Sequence, residues 1–263
     1  MYYEGILKKM TTELSQPIQY FLDMGDDFIN INQLIGNNIK INFKRYECLS
    51  CGSHEPIFAQ GLCKKCFFES PQVGEWVMKP ELSKAHLGIE DRDLAYEEKV
   101  QLTPHIVYLA KTSDIKVGVT RKTQIPYRWI DQGADAAIPI LETPNRYLAG
   151  KAEVLFKQFV TDKTGWQKML KGISTDKNLL DIKEQLKNHL SEDLLPYWRE
   201  DNNIINLNYP VEKYPEKVKS INLEKTPEVS GILSGIKGQY LIFKDGSVLN
   251  IRNQSGYMVS IEF

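Results

Sequence analysis

No apolar run in these 263 residues approaches the ~20 needed to cross a bilayer. The sequence therefore predicts no membrane-spanning helix. Nor is a secretory leader expected, since Met1-Tyr2-Tyr3-Glu4-Gly5 has no basic stretch followed by an apolar one. The expected compartment is the cytoplasm. An excess of one charge is also lacking, since 33 Lys and Arg face 34 Asp and Glu for a net charge of -1. That balance excludes a wholesale polyanion binder and leaves any nucleic-acid contact to a local patch. Hydrophobic residues at 42 % and charged residues at 25 % are ordinary for a globular chain long enough to bury a sizeable core.

Cysteine is scarce, and all four examples stand in one stretch. Cys48-Leu49-Ser50-Cys51 and Cys63-Lys64-Lys65-Cys66 form two Cys-x-x-Cys pairs with eleven residues between them. Each pair can grip a metal from one tight turn, with Gly52 supplying the turn after the first. The expected site is a structural four-thiolate Zn²⁺ centre made by Cys48, Cys51, Cys63 and Cys66. Thiolates used this way belong to a reducing compartment. The metal would staple a segment too short to build its own core, and the Lys64-Lys65 tip could touch nucleic acid or a partner. His54 could compete as a ligand, but four thiolates already complete the shell.

Hydrophobic periodicity divides the rest. Gly5–Met10, Ile18–Leu22, Phe28–Ile31 and Ile39–Phe43 read as strands, the last with clean alternation. Residues 72–103 show little pattern and read as a connecting region. From 103 onward come a strand (His105–Ala110), a four-residue turn (Lys111–Asp114), a second strand (Ile115–Thr120), a short helix near Tyr127–Gln132 and a third strand (Ala137–Leu141). A helix over Leu148–Val160 follows, with Ala152, Leu155, Phe156 and Phe159 as its apolar stripe, and then a helix over Lys177–His189. Strands return after 228, with Lys244-Asp245-Gly246-Ser247 as a hairpin turn. The fold class expected is α+β. Residues 1–46 and 228–263 would be two halves of a small β-barrel or sandwich, since neither half makes a stable sheet alone. Inserted between them are a zinc-binding segment (47–71), the connecting region (72–103), an α/β module with a helical extension (104–190) and a linker (191–227).

Val107-Tyr108-Leu109, Ile115-Lys116-Val117-Gly118-Val119-Thr120-Arg121, Arg128, Glu153 and Gly165-Trp166 together resemble the GIY-YIG nuclease superfamily. Its phage-type branch is nearest, and the likeness covers roughly residues 104–170. Over its full length the chain also resembles the bacterial DUF2797 family, a domain of unknown function. That second likeness rests on Val107–Ala110, Lys116–Arg121, Arg128–Ala134 and Gly238–Phe243.

The nuclease resemblance implies a phosphodiester site. Hydrolysis there needs an activated water, positive charge over the phosphate and a hard cation. It implies Tyr108 as the first tyrosine, Arg128 or Arg121 as the phosphate clamp, and Glu153 as the ligand of Mg²⁺ or Mn²⁺. Lys116 stands near the missing second tyrosine, whose other counterpart is Ile115. Tyr108 and Lys116 share a sheet face only if the turn has an odd residue count, with Leu109 opposite Ile115. Lys151, Lys157, Lys163, Lys168, Lys171 and Lys177 could form a basic patch, with Tyr127, Trp129 and Trp166 as stacking faces for DNA or RNA. The plainer interpretation is a solvated lysine face, a packed tyrosine and a helix-surface Glu153 paired with Lys157. His105 is expected to be structural. The two functions expected are a nuclease-like enzyme, or a catalytically silent module that binds nucleic acid or protein. Oligomeric state is left open.

Overall fold

The computed structural model describes residues 1–161 and 163–263. The fold is mixed α+β with several sheets, and the chain divides into two compact units. One comprises Met1–Glu69, Leu170–Gly172 and Leu207–Phe263. The other comprises Ser70–Met169 and Ile173–Asn206.

The first unit is built on a seven-stranded sheet that mixes strands from both ends of the chain. Its order is Tyr2–Ile6, Tyr257–Glu262, Asn38–Tyr46, Glu228–Lys237, Tyr240–Phe243, Ser247–Asn250, Lys219–Ile221. Alternation along Asn38–Tyr46 buries Ile39 and Ile41 beneath the sheet, as the period-two pattern requires. Phe43 and Tyr46 pack with Tyr257 of the neighbouring strand, ring centroids 5.0 to 5.3 Å apart. The Asp245-Gly246 turn joins Tyr240–Phe243 to Ser247–Asn250, with the Asp245 carboxylate accepting from the Ser247 amide at 2.9 Å.

The expected barrel does not close. The Glu228–Lys237 strand gives its first half to Asn38–Tyr46 and its second half to Tyr240–Phe243, with a register shift at Leu233/Gly235. That division bends the sheet but leaves Tyr2–Ile6 and the three-residue Lys219–Ile221 as separate edges. A three-stranded sheet of Thr11–Glu13, Gln19–Asp23 and Phe28–Asn30 completes this part of the unit. The first strand lies earlier than expected, at Tyr2–Ile6, because it pairs with Tyr257–Glu262 from Tyr2 onward.

The second unit centres on a four-stranded antiparallel sheet ordered Ile205–Asn206, Ala136–Thr143, His105–Lys111, Ile115–Arg121. The Arg146–Phe156 helix, capped by the Asn145 side chain on the Leu148 amide at 3.0 Å, covers it. Ala149, Ala152 and Phe156 meet Val107, Leu109, Val117, Ile138 and Ile140 in the core, joined by Leu179 and Leu186 of the Leu179–Lys187 helix. The helix stops at Phe156, short of the expected Val160. Phe159 therefore falls outside the apolar stripe, exposed and stacked on His189 at 3.9 Å. Residues 72–103 are more ordered than their sequence suggested. They form helical turns at Glu75–Met78, Pro80–Leu82 and Ala85–Leu87 and a helix at Leu94–Gln101, where Glu97 accepts from three backbone amides.

Candidate functional site

The four cysteine sulfurs in the first unit lie within 4.8 Å of one another. Cys48 and Cys51 come from a turn in which Gly52 donates to the Cys48 carbonyl at 2.9 Å. Cys63 ends the small Ile57–Ala59/Leu62–Cys63 hairpin, and Cys66 sits in the Lys64–Glu69 helix that follows. The Cys51 and Cys63 sulfurs are 3.8 Å apart, close to the edge of a tetrahedron with metal–sulfur bonds of about 2.3 Å. The Cys63 amide also donates to Cys48 Sγ at 3.3 Å.

These contacts favour thiolate at Cys48 and Cys51. Hydrogen bonds from Ser53 bring the Cys51 thiol down to about 6. Burial opposes ionisation of Cys48, but the amides of Cys51, Cys63 and Ser50 outweigh it and lower its pKa. Cys66 is pushed up to about 12, chiefly because it shares a proton with Cys51. Such a set of sulfurs could bind a single metal ion.

A second group of polar side chains gathers in the other unit. The turn between its hairpin strands is three residues, Thr112–Asp114, and not four. Lys111 stands opposite Ile115, Ala110 opposite Lys116, Leu109 opposite Val117 and Tyr108 opposite Gly118. The odd count puts Tyr108 and Lys116 on one face, although the pairing lies two residues away from Leu109–Ile115. Ile115 itself is buried in the core. Lys116 is buried too, and beside it the Val117 amide donates to the Thr161 carbonyl at 2.9 Å.

Tyr108 is fully buried, its hydroxyl donating to Gln132 Oε1 at 3.0 Å and its ring meeting Trp129 edge-on at 5.8 Å. Burial raises the phenol pKa. The Arg128 guanidinium and the Gln132 contact pull the other way, and Glu153 adds to the rise. Arg128 comes from the Tyr127–Asp131 helix, Glu153 from the Arg146–Phe156 helix. Glu153 is 8 % exposed. Burial lifts its carboxyl pKa, Glu81 adds to the lift, and Lys157 (3.4 Å away) and Arg146 oppose it.

Arg146 is the cation that the sequence did not single out. Its Nε and Nη2 donate to the Trp76 and Val77 carbonyls at 2.9 and 2.8 Å, and its guanidinium stacks on Trp76 at 5.4 Å. Burial brings its pKa down to about 10, with Arg128 and Arg121 adding to the fall and Glu153 and Glu81 resisting it. Arg146 therefore lies in the field of two further arginines. Arg121 and Arg128 have no carboxylate at ion-pair distance among the described residues.

Glu81 was likewise missed, because the 72–103 segment carries no periodic signal. The only hint in the sequence is Gly150, a glycine inside a helix. His105 is fully buried and neutral, brought down to about 4 by burial, with Nδ1 on the Thr103 carbonyl at 2.7 Å.

Other expected contact residues lie differently. Lys151 forms an exposed ion pair with Asp193 at 2.7 Å, Lys157 pairs with Glu153, and Lys177 pairs with Asp114 at 3.0 Å. Three of the six lysines in the run are thus ion-paired. Trp166 opens the Trp166–Leu170 helix just after Gly165, whose amide donates to Ser113 in the hairpin turn at 3.0 Å.

The family model of DUF2797, a protein of unknown function, matches residues 36–259, which include all four cysteines and the residues around Tyr108. The chain belongs to this family. No curated protein and no solved structure matches it. Among the described residues no helix is long and apolar enough to cross a membrane.

Proposed function

We propose that the chain is a zinc-stapled protein whose 104–190 module binds nucleic-acid phosphates and cleaves a phosphodiester with one divalent cation at Glu153. One observation carries this reading: the Tyr108 phenol lies within the electrostatic reach of both Arg128 and Glu153, on three different elements. The order of those elements (strand, strand, helix, strand, helix) is the order in which the nuclease resemblance places its residues.

Zn²⁺ is the metal we assign to the cysteines. Four thiolates whose sulfurs lie within 4.8 Å of one another suit it and leave no open position for chemistry. Its work is to hold residues 48–66 in shape.

In the second unit the chain's own groups divide the work. Arg121 and Arg128 bind the phosphate, with Arg146 behind them as a fixed positive charge. Tyr108, kept protonated by burial, is a hydrogen-bond donor that orients and does not abstract a proton. Lys116 stands on the same face as a further cation. Glu153 offers the hard oxygen that Mg²⁺ or Mn²⁺ prefers. When bound, that ion would neutralise phosphate charge and polarise a phosphoryl oxygen.

A second reading, binding without cleavage, is favoured by the absence of a second phenol, since Ile115 is an apolar core residue. Incubating the zinc-loaded protein with labelled DNA and RNA substrates and Mn²⁺ separates the two. Cleavage lost in Glu153→Ala supports the first reading. Salt-dependent binding weakened in Arg128→Ala with no product supports the second. No nucleic-acid affinity at all removes both.

A further inference from the structure

Arg146, Gly150, Glu153 and Lys157 follow one another at four-, three- and four-residue steps, which lines them along one face of the helix and its last turn. The 75–82 segment is fastened to that face. Arg146 holds its first part through the Trp76 and Val77 carbonyls. One turn further on, Pro80–Leu82 lies so close to Gly150 that a Cβ there would come within 2.7 Å of Glu81 Cα and overlap the peptide before it. Glu81 is thereby fixed next to the turn of helix that carries Glu153. Its Oε2 is buried and without a hydrogen-bond partner among the described residues. Lys157 and Arg146 are the cations that act on Glu153, and Arg146 also feels Glu81.

We infer that Glu81 is a second carboxylate ligand for the divalent cation at Glu153, contributed by a segment outside the strand–helix module and seated by the Gly150 notch. The inference rests on the phosphodiesterase reading of this site. Its support is the donor set: a buried, unpaired carboxylate oxygen on a residue within the electrostatic reach of another carboxylate is hard-cation chemistry, and burying it unpaired is otherwise costly. The backbone contact at Gly150 is independent of that charge argument, because the contact is steric.

The test measures Mn²⁺ binding to the zinc-loaded full chain by the electron paramagnetic resonance of free Mn²⁺, with no substrate present. Wild type is expected to bind one ion, and Glu81→Gln to bind it about tenfold more weakly or worse. Glu75→Gln, an exposed residue on the same segment, should bind as wild type does. Gly150→Ala keeps both carboxylates but lifts the turn away, so it should also weaken Mn²⁺. The Gly150 variant keeps the inference testable if Glu81→Gln fails to fold.

Wild-type affinity in Glu81→Gln together with loss in Glu153→Gln overturns the role of Glu81 and leaves the phosphodiesterase reading intact. Wild type that binds no Mn²⁺ overturns the inference, and if it also cleaves nothing, the reading fails with it.

Discussion

The ring of Tyr108 lies over Gly118, its partner on the adjacent strand: a Cβ on Gly118 would stand 2.6 Å from the phenol oxygen and 2.7 Å from Cζ. The glycine in the Lys116-Val117-Gly118 sequence is thus the floor on which the tyrosine rests. Because the ring is fully buried and hydrogen-bonded to Gln132, it has nowhere to move freely.

Gly118→Ala should therefore cost about 1–3 kcal/mol through overpacking and tilt the phenol off Gln132. Urea denaturation gives the loss, and the Tyr108 ring resonances report the tilt. Stability equal to wild type would mean the ring is looser than its contacts imply.

An interior helical glycine replaced by alanine usually gains up to about 1 kcal/mol of helix propensity. At position 150 the sign should reverse. Gly150→Ala is expected to lose about 1–3 kcal/mol, since the obstacle is the backbone at Pro80 and Glu81 and no side chain can rotate away. Thermal melting of the two proteins decides this by the direction of the shift alone.

His105 gives a pH dependence with a definite sign. Its folded pKa of about 4 lies below the ordinary 6.5, because burial penalises the imidazolium. The unfolded chain therefore binds the extra proton first, and stability is lost as pH falls from about 6.5 to about 4. The full loss from this one group is about 3 kcal/mol. Comparing wild type with His105→Gln over that window should show a flatter stability profile in the variant. Identical slopes would mean that another group supplies the acid sensitivity.

Metal removal should act on the cysteine segment. The native protein is expected to carry one zinc per chain by elemental analysis, and Cys48→Ser or Cys63→Ser, whose sulfurs are buried, should reduce that to about none. Chelation should unprotect the amides of residues 47–69 in hydrogen exchange. Unchanged protection after metal loss would show that this segment holds its shape through packing alone.

The sequence by itself determined the local features. Cys-x-x-Cys spacing brought the four sulfurs together as two close pairs, since only two residues separate the members of each. Alternation along Ile39–Phe43 marked a strand, and the recurrence of Ala152 with Phe156 marked a helix face, because both periods are properties of the backbone. Gly118, by contrast, stood in its motif without revealing what it meets, and Gly150 was no more than a glycine within a helix.

Tertiary structure alone decided what those glycines meet, which residues pair across the hairpin and where the 75–82 segment lies. It also decided that the long Glu228–Lys237 strand splits its partners and leaves the sheet open. Burial shifts pKa values and close approach excludes a Cβ, and both depend on atoms distant in the chain. For that reason Arg146 and Glu81 were silent in the sequence, while in the folded protein they flank Glu153.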